Sequence, residues 1–177
     1  MSLIKVGPNG PEAIADPWHF VADDEALPDS GAIAVSLARW QREREALLAR
    51  KSPLGVRLQA GEHPKAIEPD LGRLDLVALE FPKWTDGRAF SYARTLREQY
   101  GYKGELRAVG QVVRDTLLFM RRCGFDAFQI ARADAVATWL KALSEIDVFY
   151  QPTGDGRPTV WELRRRTGPV DIGEGRR

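Results

Sequence analysis

EFPKWTDGRAFSYARTLREQYGYKGELRAVGQVVRDTLLFMRRCGFDAF, residues 80–128, decides the fold. It holds two turns of one design: a helical stretch then Gly101-Tyr102, and a second helical stretch then Gly124-Phe125. In each, the glycine can take the left-handed position just past a helix end, and the aromatic can fold back on the last turn. A strand-like run follows each turn at once, ELRAV at 105–109 and FDAFQI at 125–130. Helix, glycine turn and strand, repeated, is the pattern of consecutive βα units.

The pattern extends in both directions. Ala32-Val35 and LGVRL at 54–58 read as short strands, and LDLVALEF at 74–81 is apolar enough for a central one. Ser36 stands where it can cap a helix to about Arg50, with Leu37, Trp40, Leu47 and Leu48 on one face. His63 to Leu71 reads as a short, proline-interrupted helix. Arg88–Tyr100, Val112–Cys123 and Asp134–Glu145 carry apolar residues at helical spacing. Five β-then-α units predict an α/β fold: a mostly parallel open sheet of about five strands in a three-layer sandwich, flavodoxin-like or Rossmann-like in outline. A partial βα-barrel is the second choice, because the fourth and fifth strands connect as tightly as barrel units do.

Residues 1–30, rich in Pro, Gly and Asp, read as an N-terminal arm or hairpin, with Leu3-Val6 and Trp18-Val21 as its strands. Residues 31–147 form the α/β domain. Residues 148–177 form a C-terminal extension with a small hairpin and a basic tail expected to fray.

Composition excludes several classes. With 26 basic and 25 acidic residues, the chain has no global field to attract nucleic acid or a membrane surface. No apolar run reaches the roughly 18 residues of a membrane helix, and the N-terminus lacks the apolar core of a signal peptide, so the expected compartment is the cytoplasm. The lone Cys123 can form no internal disulfide, and it reads as core. Two widely separated histidines, His19 and His63, offer no zinc pattern. There is no glycine-rich dinucleotide fingerprint, no P-loop and no nucleophile elbow. The first βα turn, at Ser36, lacks the loop that cradles a flavin phosphate. No cofactor and no metal are expected.

In open α/β sheets, ligands bind beyond the carboxyl ends of the strands. That rule selects Lys83, Trp84, Asp86 and Arg88 after the third strand, Gln111 and Arg114 after the fourth, and Arg132 after the fifth. Converging on one rim, they would bind an anion or an acidic partner. The structural alternative makes Asp86 a helix cap, Gly87 a turn residue and Arg114 part of a solvated first turn. A loop tryptophan such as Trp84 is costly to expose without a partner.

The stretch from Phe81 to Arg88, then Leu96 to Glu98, Gly101 to Ala108, Arg114-Asp115 and Arg122 to Phe128, resembles the bacterial "domain of unknown function 934" family. Two departures are mild: Gln111 stands where an acidic residue is common, and Trp84 where Phe is common. The resemblance implies a place beside the haem-containing sulfite reductase subunit and cysteine biosynthesis, and carries no catalytic residues. An accessory that docks sulfite reductase or its electron donor is the first expectation. A small oxidoreductase, or an anion- or nucleotide-binding enzyme, is the alternative.

Overall fold

The computed structural model describes residues 2–7, 9–130, 136–143, 145–146 and 148–167. Its strands are β1 (Ser2–Gly7), β2 (Gly10–Ile14), β3 (Trp18–Phe20), β4 (Ala32–Ser36), β5 (Leu54–Leu58), β6 (Leu76–Phe81), β7 (Glu105–Gly110) and β8 (Ala127–Ile130). The helices are α1 (Leu37–Leu48), α2 (Arg88–Arg94), α3 (Arg114–Arg122), α4 (Val136–Ala142) and α5 (Val160–Thr167). A 3-10 helix at Pro64–Asp70 links β5 to β6, and α2 runs into a π-turn at Thr95–Gln99.

All eight strands form one sheet, in the order β2-β1-β8-β7-β6-β5-β4-β3. From β3 to β8 every neighbouring pair is parallel, and β1 is antiparallel to both β8 and β2. This corrects the expected sandwich: the sheet is mixed, has eight strands and curls into a half-barrel. The reason lies in the strand order. Right-handed crossovers that always step the same way put every helix on one face. Alternate strand residues on that face, including Ile33, Val56, Leu79, Leu106 and Phe128, share one core with Trp40 and Leu47 of α1, Ala93 of α2 and Leu117 and Met120 of α3.

The N-terminal segment does form a hairpin, but of β1 with β2 and not with Trp18–Phe20, and it is built into the sheet. β1 and β2 form one edge of the sheet, and β3 forms the other, beside β4. Three residues, Ala15, Asp16 and Pro17, join the two edges. A flat sheet of eight strands would be about 34 Å wide at ~4.8 Å per strand. Three residues bridge at most about 14 Å. The linker therefore demands the curl.

It also crosses the inner face. Asp16 receives two hydrogen bonds from Arg107 of β7, at 2.8 and 2.9 Å. Arg107 is fully buried, donates to Glu105 as well, at 2.6 and 2.8 Å, and lies 5.7 Å from the Phe20 ring. Lys5 of β1 reaches the other Glu105 oxygen at 2.7 Å. Two cations and two carboxylates thus neutralise one another inside the curl.

Gly110 ends β7 with a positive φ of 88°, and a Cβ there would lie 2.5 Å from the Phe81 carbonyl oxygen. That glycine lets β6 and β7 stay close and paired to their carboxyl ends, where the Gln111 N–H still donates to the Phe81 carbonyl. The C-terminal hairpin is replaced by one parallel bridge, Phe149 to Thr159, followed by α5.

Candidate functional site

The carboxyl ends of β3 to β6 surround a cavity of about 630 Å³. Asp23, Ser36, Arg57, Gln59, Glu80 and Arg88 supply its polar groups. In βα-barrels this end of the strands holds the reactive groups, because the loops there are free to vary while the strands fix position.

Each group arrives for a local reason. Arg57 and Glu80 are inward-facing residues of β5 and β6, whose alternate neighbours are core. They pair at 2.9 Å, and the Arg57 Nε is buried without a hydrogen-bond partner. The Ser36 hydroxyl donates to Asp23 at 2.6 Å and accepts the Arg39 N–H at 3.0 Å, capping α1. Ser36 is thereby engaged on both sides and is no free nucleophile.

Arg88 begins α2 and reaches the cavity rim. Its guanidinium grips Asp86 at 3.0 and 2.6 Å, and its N–H donates to the same carboxylate at 3.1 Å. Those bonds hold the Asp86 carboxyl down at about 2, the side-chain bonds contributing most. A carboxylate so stabilised neither gives nor takes a proton near neutral pH. Asp86 orders the turn into α2 and positions Arg88.

Lys83 and Trp84 stand exposed on the same loop, Trp84 at 59%. Gln111 is exposed, and its backbone N–H donates to the Phe81 carbonyl at 2.7 Å. Arg114 parts from this group. It pairs with Glu145 of the segment after α4 and lines a separate recess of about 210 Å³ with Leu118 and Ile146. Arg132 lies outside the described residues, as does the Asp134 cap. So the structure joins Asp86 and Arg88, places Lys83 and Trp84 on the same loop, and sends Arg114 elsewhere. Arg57 and Glu80 were missed by a rule that looked only at loops. Their signal was a charge inside an otherwise apolar strand.

Other candidates are structural. The His63 Nδ1 accepts the Lys65 N–H at 3.1 Å and starts the 3-10 helix. Cys123 is buried, and burial pushes its thiol up to about 11 against the opposing pull of Arg94 and Arg122. Among the described residues, no group of three His, Cys, Asp or Glu side chains could hold a metal ion, and no helix is long and apolar enough to cross a membrane.

Fold and cavity together define a βα half-barrel protein with a polar, charge-paired site at its strand ends. The chain belongs to the family described as "Bacterial protein of unknown function (DUF934)", which matches residues 55–161. The match takes in Arg57, Glu80, Arg88 and the whole Phe81–Phe128 stretch. It starts after Asp23 and Ser36. No curated protein matches the chain.

Proposed function

We propose that this protein is a cytoplasmic accessory of assimilatory sulfite reduction, in the supply of reduced sulfur for cysteine biosynthesis. It docks the haem-containing reductase subunit or that enzyme's electron donor through the loop after β6. The observation that carries this reading is the 59% exposure of Trp84 on that loop, between Lys83 and the Asp86–Arg88 pair. An aromatic anchor among charged groups is a docking arrangement in which charge speeds encounter and the ring supplies affinity. The sulfite-reduction setting comes from the family resemblance.

The test is sulfite turnover by the haem subunit with its physiological donor, with and without this protein. Turnover should rise, and an artificial donor should remove the dependence. A Trp84→Ala, Arg88→Ala double variant should fold normally and lose most of the effect. Equal turnover with and without the protein would sink the reading.

The strand-end cavity favours a second reading, a small enzyme or anion-binding protein of sulfur assimilation. Arg57 and Arg88 would then contact the ligand. A thermal shift with sulfite, adenylyl sulfate or a flavin, lost in Arg57→Gln, would support it.

A further inference from the structure

The opposite end of the sheet holds a second cavity, of about 590 Å³, where the chain enters β7 and β8. Its charges do not cancel. Three carboxylates line it, and each is already bound by an arginine of the fold. Glu98 is gripped by Arg94 at 2.9 and 3.0 Å, Asp126 by Arg97 at 2.9 Å, and Asp155 by Arg122 at 2.9 Å.

Arg97 and Arg122 are fully used in this way. Arg97 also donates to the carbonyls of Gly124, Tyr102 and Gly104, at 3.0, 2.7 and 2.9 Å. Arg122 donates to the Gln151 carbonyl at 2.7 Å and stacks 3.8 Å above the Phe149 ring.

Three cations remain around the same cavity: Lys103, Arg121 and Arg157, all exposed. Neither the Lys103 nor the Arg121 side chain makes a hydrogen bond or ion pair among the described residues, and the Arg157 guanidinium has only the Phe149 ring, 5.7 Å away. The Cys123 thiol in the wall is held neutral and adds no negative charge. The carboxyl end of α3 contributes a weak negative potential, which three full charges outweigh.

The walls are fixed. Arg97 ties the turns before β7 and β8 together, and the π-turn Thr95–Gln99 carries both Arg97 and Glu98. π-turns within helices recur at functional sites. A Cβ on Gly154 would lie 2.6 Å from the Glu98 carboxylate, so the loop at 151–157 closes tightly on the helix. The result is a rigid recess with an unbalanced charge at its mouth.

We propose that this recess binds an organic polyphosphate, a small molecule in which a di- or triphosphate is attached to a larger group. Three unpaired cations match a chain of phosphates better than one tetrahedral anion. The volume leaves room beyond the phosphates, within the usual range for small-molecule sites of roughly 300–1,000 Å³. Lys103 contacts phosphate oxygens from the turn before β7, Arg121 from the last turn of α3, and Arg157 from the facing loop. The proposal is independent of sulfite-reductase docking and concerns the other end of the sheet.

The experiment is calorimetric titration of the intact protein with ATP, ADP, pyrophosphate, inorganic phosphate, sulfate and adenosine, at 50 and 200 mM salt. ATP and ADP should bind, with affinity falling at higher salt, while adenosine and single oxyanions should not. Lys103→Gln with Arg121→Gln and Arg157→Gln should weaken ATP binding at least tenfold, with unchanged circular dichroism. The single variant Lys103→Gln should weaken it severalfold, and it serves if the triple variant fails to fold. No binding at millimolar nucleotide would overturn the proposal, as would inorganic phosphate or sulfate binding as well as ADP. So would ATP affinity untouched by these variants but abolished by changing Arg164, Arg165 and Arg166 to Gln, which would move the contact to α5.

Discussion

The two ends of the sheet both gather charged side chains and use them differently. At the carboxyl ends of β3 to β6, two arginines face two carboxylates in one cavity, and Arg57 and Glu80 pair directly. At the entry to β7 and β8, every carboxylate is bound by an arginine of the frame and three cations are left over. The first end sits where barrels conduct chemistry, and it is balanced. The second sits where barrels are usually only braced, and it has charge to spare. A net charge of +1 for the whole chain conceals this asymmetry, because it sums ends that face different solvent.

The largest expected effect tests whether the second end is a frame. Arg97→Ala removes four hydrogen bonds at once and leaves Asp126 with the Leu106 N–H but without its arginine, where burial already pushes its carboxyl up. Losing one partner of such a pair costs about 3–5 kcal/mol, read as a drop in urea midpoint. A loss below about 1 kcal/mol would mean that the turns before β7 and β8 hold together without it.

Next comes pH. Cys123 and Tyr102 both line this end, and burial raises both above their ordinary values. The fold keeps both groups protonated, whereas the unfolded chain begins to ionise them near pH 9. Their contribution is complete below that pH and is lost as pH rises. The loss at pH 10.5 is on the order of 2–3 kcal/mol relative to pH 8. Urea titrations at the two pH values measure it, and Cys123→Ala should remove much of the slope.

Much of this was legible in the sequence, and the misses have physical causes. The five parallel strands β4 to β8, with α1, α2, α3 and α4, follow from hydrophobic period and glycine turns, which are local signals. LGVRL at 54–58 became β5 with the same bounds. Strand order is not local. Nothing near Leu3 announces that Leu3 will lie opposite Gln129, so the N-terminal strands read as an arm or hairpin outside the sheet, and the sheet as an open sandwich. Arg107 shows the same limit. Glu105 and Arg107 alternate with Leu106 and Ala108, which ordinarily marks a face toward water. Here Asp16, carried in by the linker, covers that face and buries Arg107 completely.

Smaller effects separate the first end from the second. Arg57→Ala frees Glu80, but both side chains reach water, so the change should cost about 1 kcal/mol or less. A cost near that of Arg97→Ala would erase the contrast between a balanced site and a frame. Smallest of all, Trp84→Ala should leave the urea midpoint within about 0.5 kcal/mol of the parent, because its ring is mostly solvated. Its effect belongs in the docking assay. A large stability loss would show that Trp84 serves the fold.

The pairing of β1 with β8 also sets a timetable for synthesis. β1 leaves the ribosome first, and its long-range partner follows more than a hundred residues later. At roughly 5–20 residues per second, that is a wait on the order of ten seconds. Throughout it, the β1–β2 hairpin presents an unpaired edge on the β8 side, the kind of edge that other chains capture. Completing the sheet is a late and slow event, as expected of contacts so distant in sequence. The nascent hairpin is therefore the segment most in need of a chaperone's cover, and refolding yield should fall steeply with protein concentration.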